Sequence, residues 1–131
     1  MKISIITISF NANDTIEKTL KSVVGQSYKN IEHLIIDGGS IDNTLEICNS
    51  FSHISKIISE SDKGVYDAFN KGLKLATGEI IGFLNADDVF YSEKAIEDLV
   101  NAFSSIETDI VYGNLDYVNK EGKVIRNWIS R

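Results

Sequence analysis

Proline is missing from the 131 residues, and cysteine occurs once, at Cys48. The absence of proline has no physical account in the sequence. A lone cysteine excludes an intrachain disulfide and fits a reducing compartment. No apolar run suits a membrane: the longest, Ile3 to Phe10, is short and carries Ser4, Thr7 and Ser9. A spanning helix needs about 20 apolar residues, and a signal peptide needs a less polar core. Basic residues are the minority, 13 against 19 acidic, for a net charge of −6 and a pI near 4.8. With no run of Lys or Arg, duplex nucleic acid and anionic membranes are poor partners. Repeats, low-complexity tracts and linkers are also absent. What is present is ordinary for a folded protein, 43% hydrophobic and 24% charged residues in 14.6 kDa. That excludes disorder as the main state and argues for a single domain spanning residues 1–131.

Short β-branched runs alternate with longer amphipathic ones. Lys2 to Ser9 reads as a buried strand. Asp14 to Gln26 follows as a helix with Ile16, Leu20, Val23 and Val24 on one face, and Asn13 or Asp14 able to cap it. Ile31 to Asp37 is a second strand, Asp42 to Phe51 a short helix, and Lys56 to Ser59 a weak third strand. Val65 to Thr77 predicts a helix with Tyr66, Phe69, Leu73 and Ala76 on one face and Gly78 as a left-handed cap. Glu79 to Leu84 is the fourth strand, and Ser92 caps a helix running to Phe103. Asp109 to Asn119 and Lys123 to Trp128 complete the chain as strands. Alternation of this kind predicts an α/β fold with a mostly parallel sheet flanked by helices.

Ligands of such sheets bind at the carboxyl ends of the strands. Acids gather there: Asp37 after strand two, Glu60 and Asp62 after strand three, Asp87 and Asp88 after strand four. An acidic loop residue by itself reads first as a turn former or a helix cap. The pair Asp87–Asp88 resists that reading, because it emerges directly from the apolar strand Ile80–Leu84. Carboxylates crowded at one edge suit a divalent cation, a sugar hydroxyl or a base N–H. Other devices are missing. There is no phosphate-binding G-x-x-x-x-G-K-[ST], no G-x-G-x-x-G after the first strand and no G-x-S-x-G elbow. His33 lies inside a strand, and Cys48 lies on an apolar helix face; both read as structural. Gly72, inside a helix, points to close packing and not to chemistry, and Asp67 with Lys71 forms an ordinary i,i+4 pair.

With these segments in view the chain resembles the N-terminal half of a family 2 glycosyltransferase of the GT-A, Rossmann-like fold. The resemblance is carried by IITISFNAND (5–14), SVVGQSYKNIEHLIIDGGSIDNT (22–44), ESDKGVYDAFNKGLKLATGEIIGFLNADD (60–88) and DIVYGNLDYV (109–118). The wording of the second and third segments is similar to a bacterial branch that builds cell-surface polysaccharides, enzymes of colanic acid synthesis among them. The resemblance implies that the Thr7–Asn11 stretch, with Thr7, Ser9 and Asn11, lies against the nucleotide. It implies that Asp37 accepts the uracil ring N–H, although the acid that usually follows is replaced by Gly38. Asp62 and Lys63 match a nucleotide-contacting loop. Asn85, Ala86 and Asp87 stand in the place of a D-x-D motif, with Asn85 for its first acid. Asp87 would ligate Mn²⁺ or Mg²⁺, with Asp88 in support.

The implied activity is metal-dependent, inverting transfer of a sugar from a nucleoside diphosphate, a UDP-sugar, to a carbohydrate or lipid-linked acceptor. The implied location is the cytoplasm, peripheral to the inner face of the membrane. The implied base lies beyond Arg131, so the chain is expected to bind a nucleotide without transferring sugar. Apolar surface around Ile110, Val118, Ile125 and Trp128 would then favour self-association. The rival expectations are a non-catalytic nucleotide-sugar-binding fragment and a flavodoxin-like interaction module.

Overall fold

The computed structural model describes residues 1–105 and 107–130; Arg131 lies outside them. Four strands form one sheet: β1 (Ile3–Ser9), β2 (Ile31–Asp37), β3 (Ile54–Ser59) and β4 (Ile80–Phe83), in the order β3-β2-β1-β4. Every pairing in it is parallel, and Ser9 pairs with Asp37 and Asp37 with Ser59 at the carboxyl edge. The helices are α1 (Ile16–Val24), α2 (Thr44–Asn49), α3 (Val65–Leu75) and α4 (Ala95–Ser105). Two compact units result, Met1–Glu97 and Asp98–Arg131.

The two-residue period of β2 divides the first unit's core. Ile35 faces one side, where it packs with Ile16 and Leu20 of α1, Cys48 of α2 and Ala86. Leu34 and Ile36 face the other, with Ile6 and Ala68 of α3. Both faces of the central strands are therefore covered, which is why β1 and β2 carry isoleucine or leucine at successive positions, Ile5–Ile6 and Leu34–Ile36. In the second unit, β5 (Leu115–Val118) and β6 (Val124–Trp128) pair antiparallel. Gly122 takes the left-handed turn position, and Asn119 Oδ1 accepts from the Glu121 and Lys123 amides. The strand expected from Asp109 forms only at Leu115. Ile110, Val118, Ile125 and Trp128 are all exposed.

Three local expectations change. The buried face of α3 is Ala68 and Gly72, while Tyr66 and Leu73 are exposed. Small residues are needed there because the helix lies close on β1: a Cβ on Gly72 would stand 2.6 Å from Ile6 Cγ2. Gly78 is not a left-handed cap. Helix α3 ends at Ala76 in extended backbone, and Gly78 is required by contact, since a Cβ there would lie 2.6 Å from the Ser4 amide nitrogen. Neither Asn13 nor Asp14 caps α1; Thr15 holds that place without a side-chain bond. Ser92 opens a turn ahead of α4, its carbonyl accepting from Ala95 and its hydroxyl from the Lys94 amide.

His33 is fully buried in β2. Its Nε2 lies 2.8 Å from Thr7 Oγ1, and its Nδ1 lies 2.9 Å from His53 Nε2. Burial, and then the neighbouring His53, push its pKa down to about 3.

Two predictions follow from this packing. Gly72→Ala should destabilise the fold by about 1–3 kcal/mol through overpacking, despite a helix-propensity gain of about 1 kcal/mol. Denaturant unfolding of Gly72→Ala in the wild-type and Ile6→Ala backgrounds checks it, the glycine substitution costing less where Ile6 has been shortened. Because His33 stays neutral when folded, its contribution is complete above its unfolded pKa, near 6.5. It is lost as pH falls through that value toward 3, at up to ~1.4 kcal/mol per pH unit. Unfolding free energies measured between pH 7 and pH 4.5 should decline, and less steeply in His33→Gln.

Candidate functional site

The strand order places β1 between β2 and β4, so the chain reverses direction across the sheet at β1. The loops after β1, β2, β3 and β4 all leave from the same, carboxyl edge. This switch point is where open α/β sheets hold their ligands.

Asp37 organises the edge from inside. It is 1% exposed and accepts five hydrogen bonds. Oδ1 takes the hydroxyls of Ser9 (2.8 Å) and Ser40 (2.5 Å). Oδ2 takes the amides of Gly39 (3.1 Å) and Ser40 (2.8 Å) and the hydroxyl of Ser59 (2.8 Å). A carboxylate offers roughly four lone-pair positions, so none is left over. Burial pushes this carboxyl's pKa up, but the bonds from Ser40, Ser59 and Ser9 outweigh it and hold the group below its ordinary value. Thr7 and Ser9 are equally internal: both are buried, and their hydroxyls are engaged with His33 and Asp37. Their hydroxyls support the edge from within.

The exposed part of the β1 stretch is Phe10 and Asn11. Asn11 sits in the left-handed region at φ 48°, which asparagine tolerates. Its amide donates to Ser40 Oγ at 2.8 Å, and its Oδ1 accepts from Ile41 at 3.0 Å, lacing the β1 and β2 loops together.

The 60–64 loop is shaped by the N-terminal turns of α3. Lys71 reaches back to Glu60 at 3.2 Å, to Asp67 at 3.6 Å and to the Ser61 carbonyl at 3.5 Å. Asp67 in turn accepts the Lys63 amide at 2.9 Å, and Asp62 Oδ1 accepts the Gly64 amide at 3.0 Å. Gly64, at φ 107°, makes the turn into the helix. The anticipated Asp67–Lys71 pair therefore exists but serves the loop. Lys71 was legible as a helix-face charge; its reach to Glu60 was not, because that contact spans eleven positions.

After β4 the chain makes a tight turn, the Asp88 amide donating to the Asn85 carbonyl at 3.0 Å. Ala86 is a core residue. It is 5% exposed, packs against Ile16, Leu20 and Ile35, and donates its amide to Ile8. Only its backbone shapes the turn. Asn85, Asp87 and Asp88 are exposed around it. The buried hydroxyl of Thr19 in α1 donates to the Asp88 carbonyl at 2.7 Å, fastening the turn's far end. Burial, then the adjacent Asp87 charge, raise the Asp88 pKa, with a hydrogen bond from Asn85 opposing them. Two repelling carboxylates and an amide oxygen form an open, all-oxygen edge suited to a hard divalent cation. Among the described residues no three His, Cys, Asp or Glu side chains close a cage around one. Such a cation would keep coordination positions for other oxygens.

A parallel α/β sheet whose carboxyl edge carries acids, with no glycine-rich phosphate loop, is the arrangement of the GT-A class. The chain belongs to glycosyl transferase family 2, whose sequence model matches residues 4–129. Curated relatives include WfgD of Escherichia coli, a UDP-Glc:α-D-GlcNAc-diphosphoundecaprenol β-1,3-glucosyltransferase, 36% identical over 93% of this chain and 49% of its own. The PGL/p-HBAD biosynthesis glycosyltransferase of Mycobacterium bovis is 36% identical over 86% of this chain and 46% of its own. The chain thus spans under half the length of these relatives. Among solved structures, Staphylococcus aureus TarS 1–349 in complex with UDP-GlcNAc superposes with a TM-score of 0.74. It is 24% identical, over 80% of this chain and 32% of that one. The mannosyltransferase PcManGT of Pyrobaculum calidifontis, with GDP-Man and Mn²⁺, gives 0.71 at 23% identity, over 91% and 36%. Both share the GT-A fold.

Asp37→Ala should cost about 2–4 kcal/mol of stability at pH 7, because it strands the buried hydroxyl of Ser9 and unties the 38–40 loop. Urea denaturation with far-ultraviolet circular dichroism checks this; a loss under 1 kcal/mol would contradict the internal role.

Proposed function

We propose that this chain binds a nucleoside diphosphate sugar, a UDP-sugar, and serves transfer of that sugar to a carbohydrate or lipid-linked acceptor in the making of bacterial surface polysaccharide. The observation that carries the reading is the Asn85–Asp88 turn. It is pinned by Ile8 and Thr19 on the carboxyl edge, and it presents Asn85, Asp87 and Asp88 outward. The lipid-linked acceptor is supported by WfgD, whose name specifies a diphosphoundecaprenol acceptor. A cytoplasmic place at the inner membrane face fits such an acceptor.

A net charge of −6 opposes a diphosphate. Lys71 is committed to Glu60 and Asp67, which leaves the exposed Lys63 as the cation of the 60–64 loop. Asp87, supported by Asp88 and Asn85, would hold Mn²⁺ or Mg²⁺. When bound, that cation offsets the negative charge that grows on the leaving diphosphate, most strongly in the transition state. Asn11, Ser40 and Ile41 lace the β1 and β2 loops together on the same carboxyl edge. Lys63 would offer a positive neighbour to a phosphate oxygen. An inverting reaction needs a base on the acceptor's side, and no residue of this chain is assigned that role.

Titration calorimetry with UDP, with and without Mn²⁺, tests the reading. Asp87→Ala should weaken Mn²⁺-dependent UDP binding at least ~10-fold with the melting temperature nearly unchanged, since an exposed loop carboxylate carries little packing energy. Unaltered Mn²⁺-dependent affinity in the variant overturns the assignment.

A further inference from the structure

At the carboxyl ends of β1 and β2, the acid expected to read the nucleobase is closed off. Asp37 is buried, and its oxygens are filled by Ser9, Gly39, Ser40 and Ser59. The next residue, Gly38, does not need to be glycine for its backbone, which lies outside the left-handed region. What a side chain would meet there is specific. A Cβ on Gly38 would stand 2.9 Å from Asp62 Oδ2 and 3.5 Å from Phe10 Cδ2. The missing side chain is therefore what lets the Asp62 carboxylate stand beside the Phe10 ring.

Asp62 is held by one oxygen. Oδ1 accepts from Gly64, whereas Oδ2, the oxygen turned to Gly38, has no hydrogen-bond partner among the described residues. The loop beneath it is held by Lys71 and Asp67, so the carboxylate is placed without being used up. Phe10 is 64% exposed, so an aromatic side chain left in solvent and the Asp62 carboxylate oxygen both flank Gly38. A flat apolar ring next to an acceptor-only oxygen matches a planar heterocycle with a ring N–H at its edge.

We propose that Asp62 Oδ2 accepts the ring N–H of the donor's nucleobase as the base lies on Phe10, and that Gly38 is the specificity-determining residue that makes room for this carboxylate. The assignment rests on the donor-binding reading above and moves base recognition from the β2 loop to the β3 loop. It selects uracil, thymine or guanine, each of which carries a ring N–H at its pairing edge. Cytosine and adenine present a lone pair at the corresponding ring nitrogen, which a carboxylate repels.

UDP and CDP differ at that edge alone and make the direct test. Calorimetric titrations with Mn²⁺ present would use UDP, CDP and inorganic pyrophosphate on the wild-type chain, Gly38→Ala and Asp62→Ala. The wild type should prefer UDP over CDP by ~10-fold or more, the scale of one charge-assisted hydrogen bond. Both variants should lose that preference, while Mn²⁺–pyrophosphate affinity in Gly38→Ala, whose charge is unchanged, stays within about twofold. Asp62→Ala, a change in a solvent-facing loop, carries the test if Gly38→Ala fails to fold. Pyrophosphate binding with no preference for UDP in the wild type, or a preference retained in the variants, overturns the base assignment and leaves the donor reading standing. No binding of pyrophosphate or of either nucleotide overturns both.

Discussion

The carboxylate of Asp37 gathers donors from three separate pieces of chain onto one group. Ser9 ends β1, Ser59 ends β3, and Gly39 and Ser40 begin the loop after β2; all four donate to its two oxygens. Burying an ionised acid is costly unless its lone pairs are filled, and here they are more than filled. The cost of dehydration is offset by geometry: three parallel strands must finish level with one another for the donors to reach. The same bonds draw Ser40 to where it accepts the Asn11 amide, so the order of the β1 loop is inherited from the β2 carboxylate.

Electrostatics sets a second constraint. Acidic groups outnumber basic ones, and the cation nearest the edge within α3, Lys71, is occupied by Glu60 and Asp67. That pairing is partly exposed and contributes little stability. Its value lies in shape, because it ties the loop that carries Asp62 back to α3. Within α3, Lys71 therefore leaves no uncommitted positive charge at this edge.

Much of this architecture was legible in the chain. The aliphatic runs at Ile3–Ser9 and Ile31–Asp37 and the period of α1 are strong signals, and the parallel sheet follows from their alternation. The loop motifs also fall together at the carboxyl edge, as the alternation implied. Side-chain destinations were less legible. In α3 the large residues Tyr66 and Leu73 suggested a core face, but the close approach to Ile6 admits only Ala68 and Gly72. Hydrophobicity cannot report how near a neighbouring strand lies. In the same way a polar residue at a strand end can face outward or be spent inside. Thr7, Ser9 and Asp37 are spent inside, and although Gly39 and Ser40 are local to Asp37, the partners His33, Ser9 and Ser59 lie more than twenty positions from the residues they engage, in other strands. Ala86 was named for its place in a motif, yet its side chain belongs to the core beneath the turn.

The fastening of the Asn85–Asp88 turn has a consequence for the cost of ligand capture. Ala86 is tied to Ile8 and Asp88 to Thr19, so the turn is set when α1 docks on the sheet. Ordering a free backbone costs roughly 1–2 kcal/mol per residue. For these four residues that entropy is surrendered on folding, and none of it remains to be lost when an ion arrives. Linkage then runs both ways. Whatever grips the turn also holds Thr19, and through it α1, against the sheet, so an ion bound at the rim would stiffen a helix whose own residues never touch it.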